Sequence, residues 1–356
     1  MKLLILPGDG IGPEITDATC RALEALDERF GLGFEMVRRD IGLTAHKAVG
    51  STMPDDVMAE IKATEAVILG PTDTYSYPPE AQGGITPSKW VRTSLDLFAN
   101  IRPSRTRPGV PAMAREMDLV IARENTEGFY ADRNMFMGNA EFMPTPDVAL
   151  SIRKVSVAGS RRIAHAAFEL ARARRKKVTV VHKANVLKVT DGLFLREARS
   201  VGSEYPDVEI EEIIIDAMAA LLIRRPETFD VVLTTNMFGD ILSDQCAELS
   251  GGLGLGPSIN AGADHAIAQA AHGSAPDIAG QDLANPTALM LSATMLLDWI
   301  ARRHGDNTLA TAAAHMDRAV DHALGDAATQ TKDIGGPLGT RAFGDAVAAA
   351  IAAIET

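Results

Sequence analysis

Residues Leu3–Leu26 read LLILPGDGIGPEITDATCRALEAL: a short apolar run, a glycine-rich turn, then apolar residues at helical spacing. The run Leu3–Leu6 suits a buried strand, and Pro13 stands where proline is tolerated, at the start of a helix that reaches about Leu26. A strand feeding directly into a helix is half of a βαβ unit. The spacing of Gly8, Gly10 and Gly12 is G-x-G-x-G-P, which departs from the G-x-G-x-x-G of a Rossmann fingerprint, and no Lys-Ser/Thr pair follows to make a phosphate loop. The glycines serve either a tight turn or close approach of the backbone to a ligand.

The same alternation continues outward. Strands are expected at Phe34–Arg38, Ala66–Leu69, Leu119–Ala122, Val178–Val181, Glu209–Ile215 and Val231–Thr234. Helices are expected at Pro54–Ala63, around Arg161–Arg174, and late in the chain near Ala288–Arg302, Ala310–Leu324 and Ala342–Ile354. This order defines an α/β protein. With 356 residues, 46% of them hydrophobic, the chain can fill two domains or one large unit. Residues 134–147 break the pattern with prolines, methionines and phenylalanines, which suits an apolar arm covered by a partner copy or a loop folded back on its own subunit.

A formal charge of −12 argues against nucleic-acid binding, which calls for a basic excess. The one basic run, Arg172–Lys177, closes a helix, where cations complement the dipole. Cys20 and Cys246 are too few for a disulfide framework and lack metal-ligand spacing, so a reducing cytoplasm fits. Leu3–Leu6 is too brief for a signal segment, and no run has the length of a membrane span.

Chemistry concentrates in a few places. Asp240 and Asp244, in MFGDILSD, stand four residues apart and share a helix face, either a platform for a divalent cation or a solvated acidic surface. Asp216 follows a strand and fits a third carboxylate or a helix N-cap before Ala217–Leu222. Arg92, Arg102 and Arg123 lie beside apolar stretches and fit either convergent carboxylate binding or three surface ion pairs. Lys183 at a strand end and Tyr130 in RENTEGFY are candidate proton carriers, or a solvated lysine and a half-buried tyrosine. In HGSAPDIAG, His272–Gly280, the Asp277 carboxylate could accept hydrogen bonds from a ribose diol.

Taken together, LPGDGIGPE, DLFANIRP from Asp96, ARENTEGFY from Ala122, HKANVLK from His182, TTNMFGDILSD from Thr234, HGSAPDIAG and ANP from Ala284 resemble the β-decarboxylating dehydrogenases of isocitrate, 3-isopropylmalate, homoisocitrate and tartrate/D-malate. The resemblance spans nearly the whole chain. It implies an isopropylmalate dehydrogenase-like fold, with a discontinuous large cofactor-binding domain (1–98 plus 252–356), a small dimerisation and catalytic domain (99–251), and an intersubunit clasp at about 134–153. It also implies an obligate homodimer with shared active sites, and the cysteine usage places it in the cytoplasm.

The implied activity is oxidation of a 3-substituted (R)-malate at C2 with NAD, followed by loss of the β-carboxylate. Asp240, Asp244 and the partner's Asp216 would hold Mg²⁺ or Mn²⁺. The partner's Lys183 would be the base and Tyr130 the acid, and Arg92, Arg102 and Arg123 would bind the malate carboxylates. Ile11, Gln269, His272, Gly273, Ser274, Ala275, Asp277, Ile278 and Asn285 would bind the cofactor. Relatives specific for NADP carry Lys-Tyr where this chain has Asp277-Ile278, which favours NAD, and a glutamate commonly stands where this chain has Gln269. The segment that reads the substituent, GGITPSKWVR, matches neither the Ser/Asn of isocitrate enzymes nor the two leucines of isopropylmalate enzymes. Thr86, Ser88 and Lys89 favour a hydrophilic or carboxylated group, whereas a solvent-directed Lys89 would leave Trp90 facing the pocket. A catalytically silent regulatory subunit, or a related hydroxythreonine-phosphate dehydrogenase, are the competing expectations.

Overall fold

A computed structural model describes residues 1–130, 135 and 140–355. The opening stretch forms strand β1 (Lys2–Leu6) and helix α1 (Gly12–Phe30), followed by β2 (Glu35–Arg38), α2 (Gly42–Val49), α3 (Asp55–Ala63), β3 (Ala66–Leu69) and α4 (Pro87–Ser94). The middle of the chain supplies β4 (Ala99–Arg105), β5 (Asp118–Glu124), a hairpin of β6 (Glu141–Thr145) and β7 (Val148–Ser151), then α5 (Val157–Arg172), β8 (Lys177–His182), α6 (Thr190–Gly202), β9 (Glu209–Ile214), α7 (Ile215–Arg224), β10 (Val231–Thr234) and α8 (Asn236–Ser250). The last part contributes β11 (Ile259–Ala261), β12 (Ala266–Ala268), α9 (Thr287–His304), α10 (Asn307–Gly325) and α11 (Thr340–Ala353).

Ten strands make one sheet in the order β2-β1-β3-β12-β11-β4-β5-β10-β8-β9. The first four of these are mutually parallel, and so are the last four. The blocks run in opposite directions, because β11 and β4 join them through three antiparallel pairings. Alternation of side chains sends Leu3 and Ile5 to the apolar layer under α1, α9, α10 and α11, while Leu4 and Leu6 enter the layer under α3 and α4. In the other block Val178, Val180, Val231 and Leu233 pack under α5 and α6, and Val181 and Val232 under α7 and α8. Burial on both faces is why these strands read as continuous apolar runs.

The glycine turn serves the protein's own backbone. A Cβ at Gly10, whose φ is +58°, would lie 1.9 Å from the Ser274 carbonyl oxygen, and the Ile11 amide donates to that same oxygen at 2.8 Å. Asp9 fastens the turn by accepting from the Leu43 amide (2.7 Å), the Asp73 amide (3.0 Å) and the Tyr77 hydroxyl (2.5 Å). Gly10→Ala is therefore expected to destabilise the fold by about 1–3 kcal/mol, since both the steric overlap and the left-handed backbone oppose a side chain. A urea unfolding midpoint equal to that of the unaltered protein would refute this.

Two local expectations need correction. Asp216 is not an N-cap: α7 begins at Ile215, its N-cap is Ile214, and the carboxylate lies within the first turn. The basic run is only partly helical, for α5 ends at Arg172, and Arg174 and Arg175 pair with Asp118 and Asp230 instead. Of the irregular segment, Asn134 and residues 136–139 lie outside the described residues. Residues 141–147 form β6 and the turn of its hairpin with β7, every residue of which is exposed, with Phe142, Met143, Val148 and Leu150 open to solvent.

Candidate active site

Strand register assembles the centre. Asn100 of β4 stands opposite Asn260 of β11 on one side and Arg123 of β5 on the other, so all three side chains share one sheet face. Arg102, two residues beyond Asn100, joins them. Helix α8 crosses this face with a polar stripe at Asn236, Asp240, Ser243 and Asp244, spacings that place one residue above another along a helix. The stripe meets the arginines in order. Arg123 donates to the Asn236 side-chain oxygen (2.7 and 3.2 Å) and to Asp240, and Arg102 donates to Ser243 at 2.8 Å and lies 3.4 Å from both Asp240 and Asp244.

Three guanidiniums thus converge, rather than making three surface ion pairs. Arg102 and Arg123 are buried, and the Arg92 Nε is buried with no hydrogen-bond partner. Burial, reinforced by repulsion from Arg102, lowers the Arg92 guanidinium to about 10. Burial, with repulsion from Arg102 and Arg92, lowers Arg123 to about 9 even beside Asp240. Taking cations out of water costs several kcal/mol each, and here three face two carboxylates. Asp244 is raised by burial, with its Asp240 neighbour adding to the effect against the pull of Arg102.

A cavity of about 310 Å³ opens beside this cluster, lined among others by Thr86, Ser88, Lys89, Arg92, Arg102, Tyr130, Gln269, His272 and Gly273. Tyr130 is half exposed, and the Arg123 guanidinium carbon stands 5.9 Å from its ring centre. Thr86, Ser88 and Lys89 all reach the cavity. Trp90 does not: it packs in the layer under α4 with the Lys62 ammonium 5.4 Å from its ring, which removes the alternative in which it faces the pocket.

His272 and Gly273 also line an adjoining cleft with Ile11, Ala275, Ile278, Asn285 and Asp333. Ser274 is buried beneath the cleft through its bond to Ile11, and Asp277 stands exposed outside the lining. Burial lowers the His272 pKa, which keeps the ring neutral at pH 7. The Asn285 amide donates to Asp333 (3.0 Å) and accepts from the Thr287 amide (3.0 Å), so the start of α9 holds it rigidly.

Lys183 and Asp216 lie elsewhere. They pair with each other, and this contact holds the Asp216 carboxyl below its ordinary range. Neither lines the cavity, and among the described residues no three acidic, histidine or cysteine side chains converge as a metal site. The Lys183 amide donates at 2.6 Å to buried Asp191, itself paired with Arg153. Sequence reading missed Asn100 and Asn236, which accept from Arg102 and Arg123, and Asn260, which holds Asn100. Asn100 and Asn236 stand inside the quoted motifs, but a lone asparagine carries no signal until its partners are known.

The model of a family described as isocitrate/isopropylmalate dehydrogenase matches residues 2–347. The isocitrate/homoisocitrate dehydrogenase of Thermus thermophilus is 41% identical over 352 residues, covering 98% of each chain. The 3-isopropylmalate dehydrogenase of Methanothermobacter thermautotrophicus is 39% identical over 341 residues, covering 96% of this chain and 95% of that protein. Among solved structures, isocitrate dehydrogenase from Methylococcus capsulatus superposes with a TM-score of 0.87 at 39% identity, covering 98% of this chain and 99% of that one. The fold and family are thus those of a decarboxylating dehydrogenase of hydroxy acids. The chain belongs to the isocitrate/isopropylmalate dehydrogenase family. That family generally uses a nicotinamide cofactor and a divalent metal.

Proposed function

We propose that the protein is an NAD-dependent, metal-requiring oxidative decarboxylase of a 3-substituted (R)-malate, working as a homodimer with shared sites. The observation that carries this reading is the convergence of Arg92, Arg102 and Arg123 on one cavity with an excess of positive charge and an unpartnered Arg92 Nε. A dicarboxylate supplies the missing anions, and Arg forks match carboxylates in a bidentate way. Tyr130, at the cavity wall, delivers a proton to the carbon that loses carbon dioxide. The partner subunit's Lys183 takes the proton of the C2 hydroxyl.

Asp240 and Asp244 offer hard oxygen donors, with side chains 35% and 52% exposed, a fit for Mg²⁺ or Mn²⁺ that the partner subunit's Asp216 completes. The metal, when bound, supplies Lewis-acid charge for the developing negative oxygen. The nicotinamide supplies the hydride acceptor. Ile11, His272, Gly273, Ala275, Ile278 and Asn285 hold the adenosine end, with buried Ser274 and exposed Asp277 in the same loop. A carboxylate at Asp277 favours a ribose 2′-hydroxyl over a 2′-phosphate, hence NAD over NADP.

Dimerisation is supported by apolar side chains left in water. Val186, Val189, Ile223 and Ile241 are 57–83% exposed near the Lys183–Asp216 pair or on α7 and α8, and the exposed hairpin fits a clasp. Apart from Val110, which belongs to the layer under α1, the buried apolar layers divide near residues 98 and 252, which supports a large domain of 1–98 plus 252–356 and a small domain of 99–251. Among the described residues no helix is long and apolar enough to cross a membrane.

The test is NADH formation with Mn²⁺ against isocitrate, homoisocitrate, D-malate, the tartrates and 3-isopropylmalate. A polar lining of Thr86, Ser88 and Lys89 predicts that a carboxylated acid gives the highest kcat/KM, and that NADP supports less turnover than NAD. No turnover on any of these acids would remove the reading.

A further inference from the structure

A line of buried side chains runs from Arg102 to the cavity wall. Arg102 Nε donates to Asn100 Oδ1 at 2.7 Å, and Asn100 Nδ2 donates to Asn260 Oδ1 at 3.1 Å. Asn260 Nδ2 donates to Gln269 Oε1 at 3.4 Å, and Gln269 Nε2 donates to Ser88 Oγ at 2.7 Å. Asn100 and Asn260 have no exposure at all, and Arg102 and Gln269 are buried.

The direction of this line is fixed at its origin. A guanidinium donates only, so the Asn100 oxygen must face Arg102 and its amide nitrogen must face onward. Two backbone carbonyls enforce the same sense: Asn100 Nδ2 also lies 3.3 Å from Ile259 O, and Asn125 Nδ2 donates to Leu97 O (2.9 Å) and to Asn260 Oδ1 (3.0 Å). Asn260 therefore presents its nitrogen to Gln269, and Gln269 presents its own to Ser88. Turning over any one amide would set donor against donor in a buried site. The Ser88 oxygen accepts from Gln269, and none of the described hydrogen bonds takes the Ser88 proton, which is left to donate into the cavity that Ser88 lines.

We propose that Gln269 is a specificity-determining positioning residue: through this relay it fixes Ser88 as a hydrogen-bond donor to a carboxylate on the C3 substituent of the substrate. The inference rests on the hydroxy-acid reading above. A glutamate at 269 would accept from both Asn260 and Ser88, so the serine proton would turn away and only lone pairs would meet the substituent. The amide at 269 thus sets the polarity of a wall residue that it reaches from the opposite side.

The experiment compares kcat/KM for isocitrate and 3-isopropylmalate and, separately, the calorimetric affinity for isocitrate with Mn²⁺ and for NAD. Ser88→Ala and Gln269→Glu should each lower the isocitrate preference and isocitrate affinity by about tenfold or more, with Ser88→Thr retaining both. Gln269→Glu should add nothing in a Ser88→Ala background. A further loss in that background would assign the effect to charge repulsion and overturn the relay, as would a fall in NAD affinity with isocitrate affinity unchanged. Turnover of none of the acids in the wider panel by the unaltered protein would sink the functional reading alone, since the isocitrate binding shift still decides the relay. Absence of isocitrate binding to the unaltered protein would overturn the relay as well.

Discussion

Lys183→Met is expected to lower kcat by roughly 10²–10⁴-fold, the range for loss of a positioned proton carrier, with the fold intact. The lysine side chain is one-quarter exposed and, among the described residues, its ammonium pairs with Asp216 alone, so its removal leaves no buried group unsatisfied. The same variant tests whether the sites are shared. Tyr130→Phe should be similarly impaired, because within one subunit Tyr130 lines the cavity and Lys183 does not. Refolding the two inactive variants together should restore up to about a quarter of normal activity: half the dimers are mixed, and each mixed dimer holds one site with both groups intact. If the lysine served its own subunit, every site in the mixture would lack one group, and activity would stay at the level of the variants.

The second large effect belongs to the α8 stripe. Asp240→Asn should weaken Mn²⁺ binding on the order of 100-fold or more, since a direct ligand should matter at least as much as the outer groups whose loss costs 10–100-fold. Asp240 is also the charged partner of Arg123, so the variant should lose stability as well, in the direction expected when a buried cation loses its counterion. Asp244→Asn separates the two roles. Among the described residues its one arginine ion pair is the 3.4 Å approach of Arg102, so it should weaken the metal with little change in unfolding midpoint. Unchanged Mn²⁺ affinity of Asp240→Asn by calorimetry would take that aspartate out of the site.

How far each element was legible follows from what its residues face. Strands β1, β3, β8 and β10 lie between helices on both sides, and their uninterrupted apolar runs announce them. β4 was invisible because its inward face is Asn100, Arg102 and Ser104, buried polar groups that a hydropathy pattern reads as solvent-facing. The three-residue strands β11 and β12 are too short for any period to register. α6 shows no clear apolar stripe amid its charged residues, although it buries Phe194, Leu195, Ala198 and Val201. At the site, the helical spacing of Asp240 and Asp244 was plain. That Trp90 turns into the apolar layer while Lys89 lines the cavity was not, because the helix phase of α4 is set by its packing on β3 and β12 residues such as Leu69 and Ile267.

The sequence by itself determined the α/β alternation, the paired carboxylates of α8 and the ordered motifs that mark the family, because each depends on residues within a few positions of one another. Only the tertiary structure decided that Arg92, Arg102 and Arg123 meet, that Lys183 and Asp216 stand apart from them in the same subunit, and that Gln269 reaches Ser88. The meeting of Arg102 with Arg123, and the row that leads on to Gln269, rest on the register among β4, β5 and β11, whose partners are separated by more than a hundred residues of chain on one side. Local spacing carries no information about such pairings. They arise when the antiparallel junction between two oppositely running blocks places Asn260, Asn100 and Arg123 in one row.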